Sequence, residues 1–195
     1  MSGAERKFVV CDPSLCTGCG ICELACSAKK EKVFNPLFSR IHAVRLESVG
    51  ENLVSMSVAC QLCEHMPACV RSCPHNALEV NEDNGTIMVH NKGYEFDCKH
   101  CGWCMVACEF GAAVLDSKAR LAVICDLCQD ERPEPPCVKS CPYDAIKLAT
   151  IEEVQKESKS EIAKKVLDEF SRSRQDSKTL FERMGQSNLP KRLQK

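Results

Sequence analysis

Aromatic side chains are scarce in this chain of 195 residues: one tryptophan, two tyrosines and seven phenylalanines, 5% of the total. So few rings leave little bulk for a large apolar core, so cohesion must come from covalent links or metal. Long apolar runs are missing too. The opening stretch "MSGAERKFVV" has neither the hydrophobic segment of a secretory leader nor a twin-arginine pair. No stretch approaches the length of a transmembrane span, and the expected location is the cytoplasm. G-x-G-x-x-G, Walker A and Ser–His–Asp signatures are all lacking, which argues against dinucleotide, nucleotide and triad chemistry. Nor is there a polybasic stripe. Residues 1–150 carry 15 basic and 19 acidic side chains and residues 151–195 carry 11 and 8, so nucleic acid is disfavoured.

Cysteine is what the chain has in excess, with 17 residues. An odd number, spaced mostly two residues apart in dense clusters without a leader, reads as metal binding rather than disulfides. Sixteen of them form a fourfold internal repeat. Group one is Cys16, Cys19, Cys22 and Cys26 in "CTGCGICELAC". Group two is Cys60, Cys63, Cys69 and Cys73 in "CQLCEHMPACVRSCP". Group three is Cys98, Cys101, Cys104 and Cys108 in "CKHCGWCMVAC". Group four is Cys125, Cys128, Cys137 and Cys141 in "CDLCQDERPEPPCVKSCP".

Short β-prone runs separate the groups. "KFVVC" leads into group one, and "IHAVRLE" and "LVSMSVA" flank a hairpin-like "SVGEN". "ALEV" and "TIMVH" flank "NEDNG", whose Asn84-Gly85 pair favours a tight turn. "AAVL" and "LAVI" bracket "DSKAR", and "AIKL" follows group four. Each group closes with C-x3-C, one helical turn. The predicted unit is cysteine loop, short helix, strand, turn, strand. From about Thr150 the chain changes character. Thr150 with Glu153 and Ser158 with Glu161 match the capping-box spacing. Ile162, Val166 and Phe170, with Ala163 and Leu167 beside them, make one apolar helical face. The expected division is residues 1–149, a cluster domain, and residues 150–195, a charged amphipathic helical extension.

Groups one and three share C-x2-C-x2-C-x3-C. Three thiolates on such a loop take three corners of a cubane, and the fourth cysteine reaches a neighbouring cluster. Gly18, Gly20 and Gly102 fall where the backbone must bend sharply. Groups two and four displace the third cysteine but end in Cys-Pro, at Pro74 and Pro142. Sixteen cysteines divide into four [4Fe–4S] clusters. Structural zinc instead favours paired C-x2-C knuckles, which groups one and three do not form. Cys11 is left over and reads as a buried strand residue. His65, His75 and His100 lie beside ligand cysteines as candidate hydrogen-bond tuners, against the commoner reading of solvated loop histidines. Trp103 replaces no ligand and shields a cluster or faces a partner, while Glu109 adds negative charge beside Cys108. No catalytic residues are expected.

The four groups in this order resemble the four-cluster ferredoxin-type electron-transfer subunits over about residues 7–148. Those subunits serve molybdenum and tungsten pterin enzymes, nickel carbon monoxide dehydrogenases and hydrogenases. The resemblance implies an α+β fold of two packed ferredoxin-like units, each with two [4Fe–4S] clusters, followed by the helical tail. It also implies nested ligation: Cys16, Cys19, Cys22 and Cys141 as a first set, Cys125, Cys128, Cys137 and Cys26 as a second. Cys60, Cys63, Cys69 and Cys108 would make the third, and Cys98, Cys101, Cys104 and Cys73 the fourth. Spacing alone also admits adjacent pairing of groups. "FNPLFSRIHAV" and the compact spacers are similar to small subunits of tungsten aldehyde oxidoreductases and benzoyl-CoA reductases, although carbon monoxide dehydrogenase partners look nearly the same. Three features depart from the pattern: five residues between Cys63 and Cys69 where many relatives have four, Ser27 and Glu109 in place of proline, and the charged tail. The function implied is single-electron relay between a tungsten or molybdenum pterin subunit and an external ferredoxin or flavin/NAD-binding partner. The alternatives are service to carbon monoxide dehydrogenase or hydrogenase, or a free-standing polyferredoxin. The tail would dock on a partner, on a second copy or on its own domain.

Overall fold

A computed structural model describes residues 6–47, 53–63, 65–91, 96–116, 118–129, 134–164 and 166–168. It shows short helices mixed with short strands, in keeping with an α+β chain. The elements are β1 (Phe8–Cys11), α1 (Ile21–Glu31), β2 (His42–Glu47), β3 (Leu53–Val58), α2 (Ala68–Arg71), β4 (Leu78–Val80), β5 (Ile87–Val89), α3 (Trp103–Ala107), β6 (Val114–Asp116), β7 (Leu121–Val123), α4 (Pro136–Lys139) and β8 (Ile146–Ala149). Every cysteine group therefore feeds a helix, and every β-prone run forms a strand. The expected loop at residues 48–52 and the expected helical position Phe170 lie outside the described residues.

Three sheets are hairpins between consecutive strands: β2 with β3, β4 with β5 and β6 with β7. In the turn before β5, Gly85 takes a φ of 75°, and the Asn84 side chain accepts from Thr86 N at 2.9 Å. The fourth sheet joins the two ends of the domain. β1 runs antiparallel to β8, with Phe8 opposite Ala149 and Cys11 opposite Ile146. α1 packs on α4, and α2 packs on α3. Groups one and four thus share one side of the domain and groups two and three the other.

The buried core is built as much from cysteine as from aliphatics. Val9, Ile41, Leu78, Ile87, Ile124 and Ile146 cluster with Cys22, Cys26, Cys60, Cys104, Cys125 and Cys137. Alanines 59, 112, 113 and 122 complete it. Small residues let the backbone approach the cysteine loops closely, which large side chains would prevent.

Contacts divide the chain into two units, Met1–Thr150 and Ile151–Lys195. In the second, residues 151–164 and 166–168 are helical, and Ile162, Val166 and Leu167 are exposed. Among the described residues no helix is long and apolar enough to cross a membrane.

Candidate metal centres

All four C-x2-C loops turn the same way. The second spacer residue is left-handed in each: Gly18, Leu62, His100 and Leu127, with φ of 67°, 49°, 57° and 58°. Only group one uses glycine there. A left-handed residue in such a loop turns successive N–H groups inward and forms an anion-binding nest. Groups one and three then enter their helices through a left-handed glycine cap, Gly20 and Gly102. Groups two and four enter through Pro67 and Pro135 instead. That explains the displaced third cysteine, because a longer segment and a proline replace the glycine turn.

The structure brings cysteines from different groups together. Cys16, Cys19, Cys22 and Cys141 line one small cavity, the members of the first set. Cys63, Cys69 and Cys108 line another, and Cys60 lies close enough to feel the charge of Cys63 and Cys108. Cys125 and Cys137 both feel Cys26 and Cys128, the members of the second set. Cys104 feels Cys98 and Cys101. Cys73 packs, partly buried, against the core.

Burial controls the electrostatics of these thiols. It pushes Cys125 up to about 12 and Cys69 up to about 11. Cys22, Cys60, Cys104 and Cys137 are raised by the same cause. Thiols gathered this way keep their protons unless cations displace them, which suits an iron cluster whose metal charge offsets the thiolates. The donors around them fit as well. Arg40 N donates to Cys26 Sγ at 3.3 Å, Ala77 N to Cys73 at 3.4 Å, Ala112 N to Cys108 at 3.3 Å and Ala122 N to Cys98 at 3.4 Å. Ser55 Oγ is buried without a partner beside Gly18, where an added Cβ would meet it at 2.8 Å. A cradle of backbone donors and a spare hydroxyl suits an anionic cluster. Among the described residues no group of three His, Cys, Asp or Glu side chains could hold a single metal ion.

Other residues singled out in the sequence take definite places. Cys11 ends β1 half-buried and accepts from Ser57 N at 3.2 Å. Burial, with the neighbouring Cys16, pushes its thiol up to about 11, which keeps it protonated and unreactive at neutral pH. Trp103 opens α3 and is 60% exposed, which favours the partner-facing reading over shielding. Glu109 lines the cavity of Cys63, Cys69 and Cys108. His100 leaves Nε2 buried without a partner beside group three. Two features carry no signal in the sequence. Asp126, inside group four, pairs with Lys30 at 2.8 Å and Arg40 at 2.9 Å; although burial alone would raise it, the two cations hold its carboxyl below the usual range. Ser57 is the other, a serine inside a β-prone run with no motif to mark it.

Comparison with known proteins establishes the family. Residues 52–168 match the family described as 4Fe-4S dicluster domain. The polyferredoxin-like subunit of aliphatic sulfonate oxidoreductase from Pyrococcus furiosus is 34% identical over 75% of this chain and 79% of its own length. The B subunit of anaerobic dimethyl sulfoxide reductase from Escherichia coli is 35% identical, with 74% of each protein covered. Among solved structures, the active site complex BamBC of benzoyl-CoA reductase aligns with a TM-score of 0.40 and 22% identity, over 80% of this chain and 90% of the other. That last likeness is too weak to build on.

Proposed function

This chain of 195 residues belongs to the 4Fe-4S dicluster domain family, and on that premise we propose that it carries electrons through four [4Fe–4S] clusters between a catalytic oxidoreductase subunit and an external redox partner. It is an iron–sulfur electron-transfer subunit of an oxidoreductase complex, not the catalyst. When bound, each cluster would accept and release one electron at a time. The meeting of Cys141 with Cys16, Cys19 and Cys22, from opposite ends of the domain, is the observation that carries the reading. It supports the nested sets over adjacent pairing, and with them two ferredoxin-like units packed together.

The helices supply the connectivity. Cys22 and Cys26 lie one turn apart on α1, about 6 Å along its axis, so one helix holds ligands of the first and second sets. Cys137 and Cys141 do the same at α4, while Cys69 and Cys73 at α2 and Cys104 and Cys108 at α3 join the third and fourth. β7 links the two halves: its Ala122 donates to Cys98 Sγ three residues before Cys125. The sets follow in the order first, second, fourth, third.

Exposed apolar side chains surround the far end of that line. Met66, Trp103, Val106 and Phe110 face solvent near the exposed Cys63 and Cys101, a patch that supports docking of protein on the cluster domain. The catalytic partner in this reading is a tungsten or molybdenum pterin oxidoreductase in the cytoplasm, and relatives named for sulfonate and sulfoxide chemistry widen its substrates beyond aldehydes. The external partner is a ferredoxin or a flavin/NAD-binding subunit. The helical extension, with its exposed apolar residues, serves assembly.

The test is anaerobic purification of the native complex with metal analysis. The chain should hold about sixteen irons, four per cluster, and dithionite should produce magnetically coupled [4Fe–4S] signals. Zinc in place of iron would sink the reading, and the metal of the co-purifying subunit identifies the partner.

A further inference from the structure

The β2–β3 hairpin is built inside out. Ser55 and Ser57 are 2% and 6% exposed, whereas Val54 is 44% exposed. Across the sheet, Arg45 stands opposite Ser55 and Ala43 opposite Ser57, while the intervening Val44 and the next residue, Leu46, face solvent. Turning polar side chains inward costs stability unless they meet something polar. What they meet is the group-one loop. Arg45 holds the Gly18 carbonyl through Nε at 2.8 Å and through Nη2, and Ser55 lies against Gly18. Ser57 Oγ sits 3.4 Å from Cys22 Sγ and 4.0 Å from Cys16 Sγ, lining the same cavity as the first set.

Chemistry fixes the direction of that hydrogen bond. A ligating cysteine is a thiolate without a proton, so once the set is filled the hydroxyl must be the donor. The backbone N–H of Ser57 is already engaged with Cys11 Sγ, which anchors the residue against β1 and gives the leftover cysteine a role. Cys26, Cys73, Cys98 and Cys108, in the other three sets, accept from backbone N–H groups. A side-chain donor differs in kind, because one substitution removes it without touching the main chain.

We propose that Ser57 is a positioning residue that raises the reduction potential of the first cluster by donating its hydroxyl to Cys22. The inference rests on the assignment of Cys16, Cys19, Cys22 and Cys141 to one [4Fe–4S] cluster. Hydrogen bonds to cluster sulfurs stabilise the more negative, reduced form, so losing one lowers the potential.

Ser57→Ala and Ser57→Thr in the full chain, purified anaerobically and titrated with EPR detection, test it. Both should keep the iron of four clusters. In Ser57→Ala the reduced-to-oxidised ratio of one cluster at fixed ambient potential should fall about tenfold, about 59 mV for a one-electron couple. The other three should not move, and Ser57→Thr should match the unmodified chain. Four unchanged potentials in Ser57→Ala, or a shift spread over all four, overturn the proposal. So does a Ser57→Thr shift as large as that of Ser57→Ala, and Ser57→Thr alone decides if the alanine variant fails to hold the first cluster. Failure of the underlying assignment reads differently: Cys141→Ser would leave unperturbed the cluster that Ser57→Ala shifts, or the unmodified chain itself would contain iron for fewer than four clusters.

Discussion

Replacing Gly18 with alanine should weaken the cluster domain far more than the same change at Gly111. Both glycines are left-handed, with φ of 67° and 64°, so both substitutions carry the left-handed penalty of about 1–2 kcal/mol. Around Gly111 an added methyl meets nothing within 4 Å. At Gly18 it would meet Arg45 Nε and Ser55 Oγ at 2.8 Å and Arg45 Cγ at 2.9 Å. Arg45 can retreat only by releasing the Gly18 carbonyl, at about 0.5–1.5 kcal/mol per hydrogen bond. Ser55 is fully buried on β3, and forcing an extra carbon against it costs about 1–3 kcal/mol. The two substitutions should therefore differ by roughly 2–4 kcal/mol. For a chain of this size that corresponds to about 4–16 °C in midpoint. Because unfolding with cluster loss is irreversible, the comparison is of apparent midpoints under argon at one scan rate. Gly18→Ala should also shed iron first. Equal midpoints and equal iron in the two variants would refute the close approach of β2–β3 to the group-one loop.

Cys104→Ser, which on the proposed ligation removes one ligand of the fourth set, should lower iron by about a quarter, the share of one cluster in the four proposed, whereas Cys11→Ser should leave iron content unchanged; equal losses would make Cys11 a ligand. Burial holds His42 below its ordinary value, with Glu23 only partly opposing. The unfolded chain then takes up a proton before the folded one, so stability from this site is complete above about pH 6.5 and is lost as the pH falls below it. His42→Phe should flatten that loss in thermal scans, and an identical acid profile in both proteins would count against it. Truncation after Thr150 should leave the clusters in place and weaken assembly with the catalytic partner on size exclusion; an unchanged complex removes the docking role of the extension.

Much of this architecture is local, and local features were legible. The four cysteine groups, the helical turn closing each, the three hairpins and the Asn84-Gly85 turn all follow from spacing and short β-prone runs. Hairpins form between neighbours in sequence, so alternation and an Asn-Gly pair suffice to signal them. The pairing of β1 with β8 gave no such signal, because Phe8 and Ala149 meet only through the whole domain between them. The left-handed turn in every C-x2-C loop was visible only where Gly18 marks it; Leu62, His100 and Leu127 adopt it under constraint from the loop, against their own preference. Histidines were the natural tuning candidates beside the cysteines, yet Cys22 is approached by a serine from a strand 35 residues away. Likewise the Lys30–Asp126–Arg40 ion pairs tie group one to group four through residues that look like ordinary surface charges in the sequence.

The closure of β1 on β8 also orders the birth of the protein. Synthesis proceeds at about 5–20 residues per second, so roughly 7–28 s separate the emergence of Phe8 from that of Ala149. In the proposed ligation, Cys16, Cys19 and Cys22 wait through nearly all of that interval for Cys141, and Cys26 waits for Cys125, Cys128 and Cys137. The third and fourth sets need nothing beyond Cys108, and their strands pair with near neighbours. On that ligation, one half of the proposed wire can be complete while the ribosome is still making the other half, and the last cysteine to appear closes the first site to have been started.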